Sequence, residues 1–342
     1  MAKLPAPSPQ KLAEEKQEFM TDLSSALTDY TRLIECGPDH PIWEDIMPEI
    51  QSVREMMAAA MEEQECTVIS KNAVRFLKEA KKKLKQAWDA IQVIGGAYMV
   101  YDRAMKCKVS KDIPYSNPFL RAYYARVSNV KIDKFCQRIL VNNVSLLADM
   151  VTELVNTTDK AVACDIETTG LDPYRENLVG LSFAHVVDTG VGPRICRAYY
   201  LPCGHMTEDM GPLFGQPKLL ANQLTQEQVL WAVQLMIDNN IPLIFHNAAF
   251  DVKWLIHLGV KFPQDYEFHD TLLGLKCYDE RPRSGLKETA LRNHQYAMTK
   301  FEDVSPDKRF QFVGLKAATE YGTTDVIMTR VIWRDVVMKM SQ

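Results

Sequence analysis

From Lys11 to Ile34 the apolar residues Phe19, Leu23, Ala26, Leu27, Tyr30, Leu33 and Ile34 recur at helical spacing. Gly37-Pro38-Asp39 predicts the end of that helix. Pro41 can open a second helix, whose apolar face is Ile42, Ile46, Ile50, Val53 and Met57. Ser70 can cap a third, with Val74, Leu77, Leu84, Trp88 and Ile91 on one side, interrupted by Gly95-Gly96. Three long helices on short connections predict a small all-α domain over residues 1–110. Its first ten residues hold three prolines and predict a disordered lead-in. Residues 111–132, with Pro114 and Pro118, read as an irregular linker.

The pattern changes near Asp133. Phe135 to Val141 reads as a strand, and Ser145 to Asn156 as a helix capped by Ser145. A buried strand follows at Ala161-Val162-Ala163-Cys164, then apolar runs at Leu178 to Ala184 and Ala198 to Leu201. Turn-rich pieces, Asp188-Thr189-Gly190 and Gly211 to Pro217, lie around them, so these three strands predict an antiparallel meander. Thr225 opens a helix through Asp238, with Glu227 in its first turn. Pro242 to Phe245 is a short buried strand, and the remainder is mostly helical. Residues 133–342 therefore read as an α/β domain.

Composition narrows the function. The chain has 342 residues, enough for two domains, with 46% apolar and 25% charged residues. A formal net charge of −4 gives no global basic field, so nucleic-acid contacts must be local or metal-mediated. The run Lys78, Lys81, Lys82, Lys83 and Lys85 could grip phosphates, but a solvated helix face with nearby acids is the stronger reading. Arg121, Tyr123, Tyr124 and Arg126 interleave cations with rings, suited to a single strand or to packing on a neighbouring domain. The eight cysteines include no Cys-x-x-Cys pair. They suggest reduced thiols in a cytoplasmic protein rather than a disulfide framework. Cys196, Cys203, His185 and His205 match no common zinc spacing. No apolar run reaches membrane-span length, and the N-terminus is no signal peptide.

The candidate chemistry is carboxylate chemistry. Asp165 and Glu167 end the second predicted strand at i and i+2, on one face. Two such acids repel unless a cation lies between them, and oxygen-only ligation suits Mg²⁺ or Mn²⁺. Asp251 follows His246-Asn247-Ala248-Ala249-Phe250 at a strand-to-helix junction, before a helix from Asp251 through His257 ended by Gly259. Tyr321 and Asp325 stand at i and i+4 on a helix. Taken singly, these are a pair of surface acids, a helix cap and an exposed helical pair.

Taken in order, Asp-x-Glu, Asn-x-x-Phe-Asp and Tyr-x-x-x-Asp resemble the tyrosine branch of the DEDD superfamily of 3′–5′ exonucleases, over about residues 133–342. Phe268 to Leu273, Gly285 to Ala290 and Phe301 to Val304 look like the proofreading domain of family A DNA polymerases. The resemblance implies a ribonuclease-H-like core, a mixed five-stranded sheet flanked by helices. It also implies two Mg²⁺ or Mn²⁺ ions about 4 Å apart. Asp165, Glu167 and Asp325 would hold the first. Asp165 would also touch the second, and Asp251 would hold it largely through water. Tyr321 would orient the attacking water, and the products would be nucleoside 5′-monophosphates. Thr168, Leu171, Asn247 and Phe250 are the candidate substrate contacts. Leu171 matches a position that wedges between terminal bases; it also reads as core, and Phe250 as helix packing.

Only 17 residues follow Asp325, whereas polymerases of this family continue much further. With Met1 at the start, this suggests a stand-alone nuclease of a phage-like or plasmid-like replication system. Its expected substrate is a single-stranded DNA 3′ end, and its expected partner a separate DNA polymerase docked on residues 1–110. The alternatives are a ribonuclease D-like trimmer of RNA 3′ ends, a repair or RNA-quality-control nuclease without a polymerase, and a catalytically silent scaffold.

Overall fold

In the computed structural model the described residues are 8–36, 42–63, 66, 68–94, 117–159, 161–188, 194–207 and 217–340. Most of the lead-in, Gly37-Pro38-Asp39, Pro41, Gly95-Gly96, the start of the linker, Thr189-Gly190 and Gly211–Gln216 lie outside them. The chain divides into two units, Met1–Tyr124 and Ala125–Gln342.

In the first unit, α1 (Pro9–Cys36), α2 (Trp43–Met61) and α3 (Lys71–Ile94) are the three helices read from the sequence. Pro9 is already helical, as a proline at a first turn can be, so the lead-in is shorter than expected. α3 packs on both α1 and α2. It does so through Ala73, Leu77, Ala80, Leu84, Ala87 and Ile91, a buried stripe at steps of three and four. Phe19, Leu23, Ala26 and Leu33 face it from α1, and Ile46, Ile50, Val53 and Met57 from α2; Ile34, expected in the stripe, is exposed. Ser70 caps α3, its Oγ accepting from the Ala73 amide at 3.1 Å. Two lysines of the basic run lie in half-buried ion pairs, Lys81 with Asp22 at 2.5 Å and Lys83 with Glu49 at 2.6 Å. The expected linker is helical from Pro118: α4 (Pro118–Tyr124) closes the first unit. Asn117 caps it, accepting from the amides of Phe119 (3.0 Å) and Leu120 (3.2 Å), with proline at the first helical position. Asn-Pro was the missed signal.

The second unit begins with a π-helical turn, Ala125–Asn129, and α5 (Val130–Asp133). Its sheet comprises β1 (Cys136–Leu140), β2 (Val162–Thr168), β3 (Leu178–Val187), β4 (Ile195–Pro202), β5 (Leu243–Phe245) and β6 (Phe268–Asp270), in the order β1-β4-β3-β2-β5-β6. β2, β3 and β4 form the expected antiparallel meander; β1 joins β4, and β5 joins β2, in parallel. The sheet is mixed as expected but has six strands, not five. The sixth, β6, is three residues long and carries no periodicity of its own.

α6 (Val144–Val155), α7 (Gln226–Asp238) and α8 (Ala248–His257) supply the helical side of one core layer, around fully buried Trp254, Phe183 and Phe245. α6 is capped by Asn143, whose Oδ1 accepts from Leu146 at 3.0 Å, rather than by Ser145. α7 has the expected Thr225 cap, completed by Gln228 as a capping box. After β6 come α9 (Thr271–Tyr278), α10 (Leu286–His294), α11 (Phe301–Val304) and α12 (Leu315–Met340). α12 packs along β2, β3 and β4. Its Val326, Ile327 and Met328 share a second core layer with Ala163, Ala184 and Ala198. Small residues on the sheet let that helix lie close. Among the described residues no helix is long and apolar enough to cross a membrane.

Candidate active site

Alternation along β2 sets the site. Val162, Cys164 and Ile166 enter the first core layer, and Ala161 and Ala163 the second. Asp165 and Glu167 therefore emerge on the side covered by α12. The strand is held on both edges: Asp165 pairs with Ser182 and Glu167 with Gly180 of β3, while Val162 and Ala163 pair with β5. Register breaks between Glu167 and Thr168, where the chain leaves the sheet.

α12 brings the other half. Gly322 makes this approach possible, since a Cβ there would sit 2.6 Å from Ser182 Oγ and 3.1 Å from the Tyr200 ring. One turn on, Asp325 meets the strand acids. One carboxylate oxygen each from Asp165, Glu167 and Asp325 lies within 4.8 Å of the others. Asp251 is buried, and its Oδ1 accepts from the Ile166 amide at 3.2 Å, between the two acids of β2. α8 begins at Ala248, three residues before the expected start, so Asp251 lies in its first turn instead of capping it. The turn into α8 passes through Asn247 in left-handed backbone, φ 75°. That turn is clamped by Asp270, which accepts from the amides of Asn247 (3.1 Å) and Ala248 (3.0 Å).

Four acids in one place perturb each other. Burial first, then Asp251, Glu167 and Asp325, push the Asp165 carboxyl well above its ordinary range; Lys287 pulls the other way. Burial and then Asp325 raise Glu167, again against Lys287. Burial lifts Asp251 to about 8 and Asp325 to about 6. Lys287 is the cation opposing this charge, and the sequence reading assigned it no role. From α10 its Nζ donates to Tyr321 Oη at 2.7 Å. Tyr321 is buried against Phe301 and Phe310, ring centroids 6.2 and 5.7 Å away.

The candidate substrate residues divide. Leu171 is 79% exposed, which removes the core reading. Phe250 packs on Trp254 one turn along α8, centroids 6.3 Å apart. Asn247 is exposed at the tip of the turn into α8. Thr168 donates its hydroxyl to the Gly170 carbonyl at 2.6 Å, closing the bend that leads to Leu171.

The family model of the DNA polymerase A 3′–5′ exonuclease matches residues 139–340. The chain belongs to this 3′–5′ exonuclease family. It is 30% identical over 196 residues to DNA polymerase I of Chloroflexus aurantiacus, covering 56% of this chain and 18% of the polymerase. It is 27% identical over 180 residues to DNA polymerase I of Rhizobium leguminosarum, covering 50% and 17%. The exonuclease thus spans less than a fifth of the length of these relatives. Among solved structures, Brucella melitensis NrnC with bound Mg²⁺ is similar at 24% identity and a TM-score of 0.39, over 60% of this chain and 81% of NrnC.

Proposed function

We propose that this exonuclease removes nucleotides from single-stranded DNA 3′ ends, in the cytoplasm, as the editing activity of a separate DNA polymerase. The observation that carries the reading is the meeting of Asp165, Glu167 and Asp325 within 4.8 Å, with the Tyr321 hydroxyl held nearby by Lys287. The donor set fits a hard divalent ion: carboxylate oxygens only, and acids that burial holds toward their neutral form until a cation compensates them. Asp165, Glu167 and Asp325 would hold one Mg²⁺ or Mn²⁺, and Asp165 with Asp251 a second. When bound, such ions acidify a water and stabilise charge on the departing 3′ oxygen.

The remaining work falls to side chains. Tyr321 Oη accepts from Lys287 Nζ, which fixes the phenol that would orient the attacking water. Leu171, exposed on a closed bend four residues after Glu167, would separate the last two bases. Asn247 and Phe250 would lie against the terminal nucleotide, and Thr168 would fix the bend.

The test is hydrolysis of matched 5′-labelled DNA and RNA oligonucleotides with Mg²⁺, Mn²⁺ or EDTA. Stepwise shortening of DNA from the 3′ end, abolished by EDTA and by Asp165→Asn, is expected. Faster shortening of RNA would replace the editing role with RNA trimming. No shortening of either would leave the scaffold reading.

A further inference from the structure

Two thiols face each other at the edge of the sheet, in the layer shared with α12. Cys136 opens β1 and stands directly opposite Cys196 of β4, in parallel register. Paired strands lie about 4.8 Å apart. A disulfide spans Cα atoms about 4.4–6.8 Å apart, so the backbones already stand at bridging distance. The side chains share a face as well. Both cysteines pack on the core layer of Ala163, Ala198 and Val326, and Cys196 precedes Ala198 by two residues along β4. Each is half-buried and free. The Cys136 thiol also donates to the Ile132 carbonyl of α5 at 3.4 Å, which holds it at the start of the strand. β1 is the edge strand, with β4 as its neighbour in the sheet, so it can shift toward β4 as a bridge closes.

The two sulfurs are chemically unequal. A hydrogen bond from Cys196 draws the Cys136 thiol below its ordinary range. Burial opposes this, the charge of Arg138 assists it, and Asp133 opposes it. Arg138 lies two residues along β1, on the same face. The same hydrogen bond, and then burial, push Cys196 well above its ordinary range. One sulfur is thus suited to be the thiolate nucleophile, and the other is a protonated thiol held against it. Elsewhere burial pushes Cys164 well up and Cys203 to about 12, which withholds both as thiolates. Disulfides that form in reducing compartments are usually transient and redox-sensing, and a half-buried thiol pair suits that use.

We propose that Cys136 and Cys196 are a redox-modification site, which a peroxide converts reversibly into a β1–β4 disulfide. The Cys136 thiolate attacks one peroxide oxygen and the O–O bond breaks. Hydroxide leaves and takes up the proton that Cys136 had released, giving water, and Cys136 becomes a sulfenic acid. The Cys196 sulfur then attacks the Cys136 sulfur and the S–O bond breaks. A second water leaves with the Cys196 proton as the S–S bond forms. The two thiols lose two electrons and the peroxide gains two. The acid cluster takes no part, so the site stands independently of the nuclease reading.

The test adds hydrogen peroxide in small molar excess to the intact, fully reduced chain, followed by peptide mapping without reductant. Two of the eight thiols should be lost to titration. The map should show one cross-linked pair, carrying Cys136 and Cys196, and dithiothreitol should restore both thiols. In Cys196→Ser the reaction should stop one step earlier, and dimedone should label Cys136. In Cys136→Ser, Cys196 should stay unmodified. A bridge between any other two cysteines, dimedone on exposed Cys66 or Cys277 in place of Cys136, or no loss of thiols overturns the site. Should a serine variant fail to fold, the map of the unaltered chain decides alone.

Discussion

Lys287 Nζ lies 2.7 Å from Tyr321 Oη and 4.4 Å from the centre of the same ring. One ammonium therefore fixes the phenol and offsets the charge of the acids beside it. Replacing it by methionine keeps the stem and removes the charge. We expect kcat to fall on the order of 100-fold, comparable to losing one well-placed donor, with KM changed much less. Lys287→Arg should recover part of the loss. Steady-state kinetics on a labelled oligonucleotide check this, and a methionine variant with full kcat would remove Lys287 from the mechanism.

The raised carboxyls make stability depend on pH in a definite direction. Asp251 at about 8 and Asp325 at about 6 stand above their unfolded values near 4, so the folded state holds more protons between those limits. Their contribution is fully present below pH 4 and is lost as pH rises through 6 and 8. In EDTA, Tm should therefore drop between pH 5.5 and pH 8.5. Saturating Mg²⁺ should flatten the dependence by stabilising the ionised acids. Calorimetry at the two pH values, with and without the ion, decides it.

Asp165→Asn separates stability from activity. It removes an acid whose ionisation the metal-free fold opposes, so the EDTA-treated variant should gain stability on the order of 1 kcal/mol. Activity should fall to background. A variant that loses both stability and activity would mean that the four acids are not in conflict.

Gly322→Ala tests the close approach of α12. The new methyl would meet Ser182 Oγ at 2.6 Å and must displace the helix or the strand. A cost of about 1–3 kcal/mol is expected from overpacking. Because Tyr321 and Asp325 ride on the same helix, kcat should fall even at temperatures where the variant is fully folded.

If residues 1–110 dock a polymerase, the full chain should co-purify with one, and deletion of 1–110 should release it. Retention after the deletion would refute the docking role.

Singly the acids read as a surface pair, a helix cap and an exposed helical pair; they were legible as one site only through their order along the chain, which resembles the motifs of the exonuclease family. Lys287 was not legible, since one lysine on a short helix is an ordinary solvated residue until Tyr321 is brought to it from 34 positions away. The α6 cap was misjudged. Asn143 takes the α6 cap expected of Ser145 because its backbone is extended, φ −151° and ψ 164°, as a cap requires. β6 escaped notice because three residues cannot show a period of two; its pairing with β5 makes it a strand. Leu171 could be assigned to core or surface only with the Thr168–Gly170 bend in view.

The hydrogen bond from the Ile166 amide to Asp251 also has a genetic meaning. Altering Asp251 deprives the β2 backbone of its partner between Asp165 and Glu167, so the lesion spreads to residues that were never changed. Asp251→Ala and Glu167→Ala should therefore show epistasis, the double variant losing less than the product of the two separate losses. A scan made one position at a time would overstate how many independent parts this enzyme has.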